Sequence, residues 1–245
     1  MAKRNQYSRG KSESKANRNA FEKEKAVKQH TNKVHEACAP VVGLTDGHCE
    51  LIRAIERSTV VIVTGPPGTG KTYISTALTA DALEQGYIDN IVCTRPLISC
   101  GNDLGILPGD VAEKFGPYMA PIMDVFNKRI GKSGVESYIK NGRIKQIPLQ
   151  LLRGSSIDNA TILLDEAQNC DSEQLIMLLT RIGKNSTLII NGDLRQKDIK
   201  NSGLQHVLDK VSHINGVEHI HLTTDDIVRS DIVKEFVIAF YGDDD

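Results

Sequence analysis

Eight consecutive residues, 65–72, have the types and spacing that bind a phosphate chain. They form GPPGTGKT, which fits the pattern G-x-x-x-x-G-K-[ST], and they directly follow the apolar run 59–63. Glycines let several backbone N–H groups point at one anion, and a helix beginning near Gly70 adds the positive end of its dipole. The pattern therefore predicts a nucleotide-binding P-loop, made of Gly65, Pro66, Pro67, Gly68, Thr69, Gly70, Lys71 and Thr72.

Two side chains of this loop have separate predicted roles. Lys71 is expected to reach the β- and γ-phosphates of a nucleotide, and the Thr72 hydroxyl is expected to ligate Mg²⁺. A metal ion held in this way needs a carboxylate from another strand, so an acidic residue is expected after a second buried strand.

An acidic pair follows the apolar run 161–164. Asp165 would emerge at the end of that buried strand, where it can hold Mg²⁺ through water. Glu166 would face the γ-phosphate, where it can orient or deprotonate the attacking water. Acidic residues also favour the N-terminal cap of a helix, which is the alternative role for this pair. The P-loop elsewhere in the chain favours the catalytic role.

A third polar segment, residues 191–196, follows the predicted strand 187–190. Ligands of parallel α/β sheets bind at the carboxyl ends of strands, so this segment is expected beside the phosphates. Gln196 is the candidate to hydrogen-bond the γ-phosphate or its water and so to respond to hydrolysis. An ordinary surface loop is the alternative.

Strands and helices are predicted to alternate along the chain. Strands are expected at 59–63, 91–94, 144–147, 161–164, 187–190 and 217–222. Besides the helix between the P-loop and Gly86, helices are expected at 47–57, 118–140, 172–182, 204–211 and 230–240, and residues 101–117, rich in Gly and Pro, are expected to form a loop. This alternation predicts the α/β class, with a mainly parallel sheet sandwiched by helices.

The composition is typical of a soluble globular chain. Of 245 residues, 40% are apolar and 25% are charged, and no apolar run approaches the roughly 20 residues needed to cross a bilayer. The five cysteines form no C-x-x-C pair, which favours reduced thiols in a cytoplasm over a disulfide scaffold or a zinc site. A single folded domain is expected over residues 41–241.

Charge is distributed unevenly between the two ends of the chain. Residues 1–36 hold ten Lys or Arg against four Glu, a net charge of +6, so the remaining residues carry −7. We therefore expect residues 1–40 to be a basic, disordered tail. Both a solvated tail and an arm that contacts nucleic-acid phosphates are compatible with this composition.

Several motifs together resemble one known family. Residues 165–168 (DEAQ) and 192–196 (GDLRQ) resemble motifs II and III of superfamily 1 helicases. A more specific resemblance, to the PhoH family, extends over residues 44–241. It rests on residues 94–96 (TRP), 104–110 (LGILPGD), 153–154 (RG), 165–169 (DEAQN), 202–204 (SGL) and 226–229 (DIVR).

This resemblance implies a cytoplasmic ATPase with one RecA-like P-loop core that uses ATP and Mg²⁺. It also implies helicase-like action on RNA or single-stranded nucleic acid. Its motifs assign catalysis and metal binding to Lys71, Thr72, Asp165, Glu166, Gln196 and Arg229. His48 stands where helicases place an adenine-reading glutamine, so it is expected at the nucleotide base. We expect the compact form of the family, as in phage-type members, in which no PIN or KH-like domain precedes the core.

Hydrolysis needs positive charge at the transferring phosphoryl group beyond the P-loop lysine and Mg²⁺. A two-lobed helicase takes an arginine from its second lobe, for which this chain is too short. Arg229 is the first candidate, followed by Arg195 and Arg153, although Arg229 has an alternative role in a salt bridge to Asp226 or Glu235. If Arg229 does not reach its own site, a neighbouring subunit must supply the arginine. This arrangement predicts a homo-oligomeric ring, expected to be a hexamer.

Two further functions use the same motifs. A non-motor switch would bind ATP and regulate a protein partner, but Glu166 argues against it because a base beside the γ-phosphate promotes turnover. A small-molecule kinase is disfavoured by the helicase-like segments. If nucleic acid is the partner, Arg95, Arg153 and the 101–117 loop are candidate strand contacts, while 4% aromatic content without Trp disfavours a surface built on base stacking.

Overall fold

The computed structural model describes residues 38–97, 111–154, 156–196 and 202–242, with backbone only for residues 111–114 and 241. The compact unit that contains every element below is Pro40–Asp245. The predicted basic tail, up to residue 37, and the family-specific segment 104–110 lie outside the described residues. The domain boundaries expected from the sequence stay a prediction.

Six parallel strands form the centre of the fold. They are β1 (Val60–Thr64), β2 (Asn90–Thr94), β3 (Ile144–Gln146), β4 (Ala160–Leu164), β5 (Thr187–Gly192) and β6 (Val217–His221). Their order across the sheet is β3-β2-β4-β5-β1-β6, and every neighbouring pair is parallel. The predicted parallel α/β sheet is confirmed, and only β5 separates the strand before the P-loop from the strand before the acidic pair.

Successive residues of each central strand contribute to two separate apolar layers. In β1, Val61 and Val63 lie in one layer, whereas Val60 and Ile62 lie in the other. Because both faces of the sheet are buried, its central strands are nearly continuous apolar runs.

Helices cover both faces of the sheet. The first layer receives apolar side chains from α1 (Asp46–Arg57), α2 (Lys71–Glu84), α3 (Val111–Ile130) and α4 (Lys132–Lys140). The second layer receives them from α5 (Ser172–Leu179) and α6 (Leu204–Val211). A final helix, α7 (Asp231–Tyr241), follows the 3₁₀ turn Thr224–Asp226. Helix starts are specified locally, since Thr45 caps α1 and Asp171 forms a capping box with Gln174 at α5.

Helix α3 corrects the predicted loop. The expected loop over 101–117 is wrong for residues 111–117, which are helical despite Pro117 and Pro121 inside the helix. A fully buried apolar stripe at helical spacing stabilises α3 against the lost proline hydrogen bonds. Its members are Phe115, Met119, Ile122 and Phe126. Gly116 also has no Cβ to clash with the ring of Pro117.

Two other helix bounds differ from prediction. The single helix expected over 118–140 is wrong, because Gly131 (φ 85°, ψ 146°) separates α3 from α4. The helix expected to reach residue 182 ends at Leu179, and Ile182 instead forms a parallel bridge with Ile157. The other predicted elements lie within two residues of the observed bounds. Within the described part of the chain, no helix is long and apolar enough to cross a bilayer.

Candidate nucleotide-binding and catalytic site

The P-loop joins the buried strand β1 to helix α2. Gly65 has φ +148°, and a Cβ there would overlap the carbonyl oxygen of Leu222, so only glycine fits this approach to the chain after β6. Gly70 caps α2 in the left-handed region, with φ 80° and ψ 6°. The loop therefore presents the start of a 14-residue helix, as the sequence predicts.

Lys71 folds back over the loop. Its Nζ donates hydrogen bonds to the carbonyl oxygens of Gly65 and Pro66, at 2.6 and 2.7 Å. Burial lowers the pKa of Lys71, and the nearby carboxylates of Asp193, Asp165 and Glu166 oppose that shift. The amine is thus held inside the loop and within the field of all three carboxylates.

Thr72 and Asp165 are brought together as predicted. The Thr72 hydroxyl donates to Oδ1 of Asp165 at 2.8 Å, and Asp165 is only 3% exposed. A hydroxyl and a carboxylate are the hard oxygen ligands that Mg²⁺ prefers, so this pair fits the metal that P-loop chemistry requires.

Arg95, at the end of β2, is the partner of Asp165 that sequence reasoning missed. Its Nε and Nη2 both donate to Oδ2 of Asp165, the former at 3.1 Å. Its Nη1 donates to the carbonyl oxygen of Tyr118 in α3 at 2.7 Å, and Nη2 lies 3.9 Å from Oε1 of Glu166. The position of Arg95 directly after a buried strand was the available signal.

Glu166 has the environment of a general base. Its backbone is left-handed (φ 61°, ψ 40°), a conformation that is rare outside glycine and is concentrated at functional sites. Burial and the neighbouring Asp165 raise the pKa of Glu166, while Arg95 and a hydrogen bond from Gln168 oppose the shift. The resulting carboxylate is more basic than an ordinary exposed glutamate, although its side chain stays 44% exposed.

Gln168 connects the acidic pair to the segment after β5. It is 2% exposed, and its Nε2 donates to Oε2 of Glu166 at 2.6 Å. Its Oε1 accepts the backbone N–H of Asp193 at 3.0 Å. In the sequence Gln168 stands out only as part of a motif, yet it fixes the orientation of Glu166 relative to the next strand.

Asp193 orders the segment that carries Gln196. Its Oδ1 accepts the backbone N–H groups of Arg195 and Gln196, at 2.9 and 3.3 Å. Its buried Oδ2 has no hydrogen-bond partner among the described residues. Gln196 and Glu166 both line a cavity of about 280 Å³, so the predicted sensor and the predicted base share one space. The cavity is also lined by Arg95, Pro96, Tyr118, Gln168 and Asn169.

His48 lies behind the P-loop and contacts backbone on both sides of its ring. Its Nδ1 accepts the N–H of Leu44 at 3.4 Å, so Nε2 carries the proton and donates to the carbonyl oxygen of Thr69 at 2.9 Å. His48 is 3% exposed. Both ring nitrogens are thus engaged by the protein itself, and the expected contact of His48 with adenine stays a prediction.

The family follows from comparison with known proteins. The family model described as "PhoH-like protein" matches residues 40–241. The chain belongs to this family. It is 37% identical over 207 residues to Protein PhoH of Escherichia coli (strain K12), an alignment that covers 82% of this chain and 58% of that protein. It is 38% identical over 199 residues to the PhoH-like protein of Bacillus subtilis (strain 168), covering 80% of this chain and 62% of that one. This PhoH-like chain thus spans about three fifths of the length of these relatives.

A solved structure with the same fold is the large terminase of a thermophilic bacteriophage. The TM-score is 0.50 at 11% identity, over 80% of this chain and 50% of that one. At such low identity the similarity concerns the fold alone. The RecA-like P-loop core and the PhoH resemblance predicted from the sequence are confirmed.

Arg229 of this PhoH-like chain lies beside the P-loop, at Gly68. The N–H of Val228 donates to the carbonyl oxygen of Gly68 at 3.2 Å, and a Cβ on Gly68 would lie 3.1 Å from Cγ of Arg229. Arg229 is exposed, and the described residues give it no salt bridge to Asp226 or Glu235. The alternative structural role is therefore not observed, and Arg95 is the arginine found next to Glu166.

Proposed function

We propose that this PhoH-like protein binds ATP with Mg²⁺ and hydrolyses it. The observation that carries the proposal is the convergence of Lys71, the Thr72–Asp165 pair and Glu166 at one edge of the sheet. Nucleotide binding alone would need only the loop and its helix. A carboxylate of raised pKa beside them is what turnover requires.

Each residue has a distinct part in the proposed reaction. Lys71 exchanges the carbonyl oxygens of Gly65 and Pro66 for oxygens of the β- and γ-phosphates. Thr72 and Asp165 would hold Mg²⁺, which would neutralise charge that develops on the phosphates. Glu166 takes a proton from the attacking water as the water oxygen bonds to the γ-phosphorus and the bond to the bridging oxygen breaks. ADP and phosphate then leave.

Gln196 is the proposed sensor of the γ-phosphate. Asp193 holds the backbone of Gln196 through the N–H bond described above, and Gln168 ties Asp193 to Glu166. The sensor and the base are therefore linked through two buried side chains. Loss of the γ-phosphate changes the contacts of Gln196 and so the segment that follows β5.

We further propose that ATP turnover is coupled to RNA or single-stranded nucleic acid, as in a helicase-like ATPase. The resemblance of residues 165–168 and 192–196 to helicase motifs supports this substrate class. The cavity beside Glu166 supports it too, because the aromatic residue Tyr118, which is 38% exposed, is among its lining residues.

The test is the rate of ATP hydrolysis without polymer and with RNA, single-stranded DNA or a duplex. The Glu166→Gln variant, purified in the same way, measures any contaminating ATPase. Stimulation by one polymer class supports the coupling and identifies the substrate. No stimulation by any polymer would favour the alternative, an ATP-dependent switch that regulates a protein partner.

A homo-oligomeric ring is the proposed assembly, with Arg229 as the residue shared between subunits. Helix α7 exposes an apolar stripe at helical spacing made of Ile232, Phe236 and Phe240, which are 55%, 56% and 84% exposed. Val228 and Arg229, just before α7, lie against the P-loop. A neighbour packed on this stripe would lie close to the nucleotide. The hexamer and the cytoplasmic location stay predictions.

A further inference from the structure

Asp165 is already paired with a cation, the guanidinium of Arg95. Two guanidinium nitrogens of Arg95 donate to Oδ2 of Asp165, while Thr72 donates to Oδ1. Both carboxylate oxygens are thus engaged. The Arg95 and Asp165 side chains are 13% and 4% exposed.

Arg95 and a metal ion compete for the same carboxylate. A water-mediated or direct Mg²⁺ contact needs lone pairs of Asp165 that point into the site. The Thr72 hydroxyl can keep donating to Oδ1 while its oxygen ligates the metal, so the competition concerns Oδ2. Oδ2 already accepts two hydrogen bonds from the guanidinium, which fill its acceptor capacity. Oδ2 therefore becomes available to a metal-bound nucleotide only if Arg95 leaves it.

A displaced guanidinium in this position needs another anion. Leaving a nearly buried charge without a partner is costly, so release is favourable only if a replacement is within reach. Glu166 lies 3.9 Å from Nη2, but it is the proposed base and is already bonded to Gln168. The γ-phosphate, which must lie beside Glu166 for hydrolysis, is an anion that a bound nucleotide would bring to the same cavity. The planar fork of arginine suits two phosphate oxygens.

The backbone of Tyr118 anchors one end of the Arg95 guanidinium. Nη1 of Arg95 donates to the Tyr118 carbonyl oxygen in α3, on the side of the guanidinium away from Asp165. Pro121 lacks an N–H and so weakens the hydrogen-bond ladder of α3 next to this carbonyl. The tether keeps the guanidinium in the cavity that Glu166 and Gln196 also line.

We propose that Arg95 is a switch that distinguishes ATP from ADP at this site. With Mg²⁺–ATP bound, Arg95 pairs with the γ-phosphate and Asp165 holds the metal. With ADP, no γ-phosphate is present, so Arg95 returns to Asp165 and competes with the metal. The protein therefore holds Mg²⁺–ADP weakly and releases it after turnover. This inference rests on the proposed ATP-binding function.

The experiment compares nucleotide affinities by calorimetry, with Mg²⁺ and with EDTA, for ADP and for a non-hydrolysable ATP analogue. In the wild-type protein we expect Mg²⁺ to strengthen binding of the ATP analogue by about tenfold or more and to change ADP affinity little, since a charge-assisted contact contributes on that order. An equal increase by Mg²⁺ in the affinity for both nucleotides would overturn the proposal.

The Arg95→Gln variant gives a second test with two effects of opposite sign. Without the competing guanidinium, Mg²⁺–ADP should bind about tenfold more tightly, while the preference for the ATP analogue over ADP should disappear. If Arg95 had a merely structural role, its loss would weaken the binding of both nucleotides together. That result would contradict the proposal.

Arg129→Gln is the matched control, because Arg129 forms a similar two-point ion pair with Asp81 between α3 and α2, away from the site. Arg129→Gln should leave the affinity for Mg²⁺–ADP and the preference for the ATP analogue over ADP unchanged. The same changes in this variant would overturn the assignment to Arg95. The proposed function fails separately, if the wild-type protein binds no ATP. If Arg95→Gln does not fold, the wild-type Mg²⁺ comparison alone decides the proposal.

Discussion

Individual side chains at this site are held by polar contacts that leave them few alternative orientations. Gln168 orients Glu166, Asp193 orders the backbone of Gln196, and His48 holds the P-loop carbonyl of Thr69. Each of these supporting residues is 5% exposed or less. A buried polar group without its partner costs about 1–3 kcal/mol, so loss of any supporting contact should be measurable.

His48 provides one such measurement. His48→Ala removes the hydrogen bond to Thr69 and so one support of the P-loop. The free energy of nucleotide binding should weaken by about 1 kcal/mol or more, which is roughly a fivefold loss of affinity. Because the ring contacts backbone, ATP and GTP should lose affinity equally in a competition binding assay. His206→Ala, at an exposed position of α6, is the control. A loss confined to adenine nucleotides would show instead that His48 contacts the base.

The meeting of Thr72 and Asp165 could be predicted from the sequence because local pattern places both residues. A P-loop and an acidic pair that both follow buried parallel strands must meet at one edge of a sheet, and Thr72 and Asp165 do so. The pairing of Arg95 with Asp165 could not be predicted. It depends on a rotamer and on a carbonyl of α3, a helix whose start was predicted as loop.

Secondary-structure elements are tied together by contacts that can be tested one at a time. Helix α1 is joined to the edge strand β6 through Glu218, which accepts hydrogen bonds from Arg57 at 2.7 and 2.5 Å and from Ser58. These bonds lower the pKa of Glu218 to about 2 from an ordinary value of 4.5. The ionised form is therefore favoured in the folded state.

The stabilisation from Glu218 should depend on pH in a defined direction. A folded-state pKa below the unfolded value stabilises the protein above pH 4.5, and the effect is lost as pH falls toward about 2. At pH 7 the melting temperature of the wild type should be higher than that of Glu218→Gln. The difference should be modest because the ion pair is partly solvated. The difference should shrink steadily below pH 4.5. A difference that is the same at pH 7 and pH 3 would contradict this account.

Helices α5 and α6 meet at a glycine that cannot be enlarged. A Cβ on Gly203 would overlap the backbone nitrogen of Ser172, and the Gly203 N–H donates to the Cys170 carbonyl oxygen at 2.8 Å. Gly203→Ala should therefore lower the free energy of unfolding by about 1–3 kcal/mol in denaturant titration. Gln205→Ala, exposed in the same helix, should change it by less than about 0.5 kcal/mol. Similar values for the two variants would refute the predicted clash.

Element type was predictable where one signal dominated, and less so where two signals opposed each other. Buried strands such as β1 and β4 are apolar runs followed by turn or polar residues, and their positions were predicted within one residue. In α3 the prolines indicate a loop, while the apolar stripe indicates a helix. Tertiary burial of Phe115 and Met119 decides the outcome, and burial is not visible in the local sequence.

At the scale of the whole molecule, the two arginines near the site occupy different places. Arg95 supplies a positive charge beside Glu166, whereas Arg229 lies at Gly68 on the rim of the P-loop. Arg95 is paired within its own site and Arg229 lies beside its own P-loop, so a role of Arg229 in a neighbouring subunit stays a prediction.

The α7 stripe gives the assembly a direct test. Phe240→Lys places a charge in the proposed interface, so light scattering with ATP and Mg²⁺ should show loss of the oligomer and ATP turnover should fall with it. Tyr87→Lys, at a position 79% exposed elsewhere, should leave the mass unchanged. A wild-type protein that is strictly monomeric yet fully active would rule out the ring.

Glu166 is proposed to activate water for ATP hydrolysis at the site formed by Lys71, Thr72 and Asp165. The most direct measurement is single-turnover ATP hydrolysis by Glu166→Gln, with ATP affinity measured on the same preparation. We expect the rate to fall by about 10²–10⁴-fold while affinity is kept, and Glu173→Gln, an exposed acid of α5, to behave as wild type. An unchanged rate in Glu166→Gln would contradict the account.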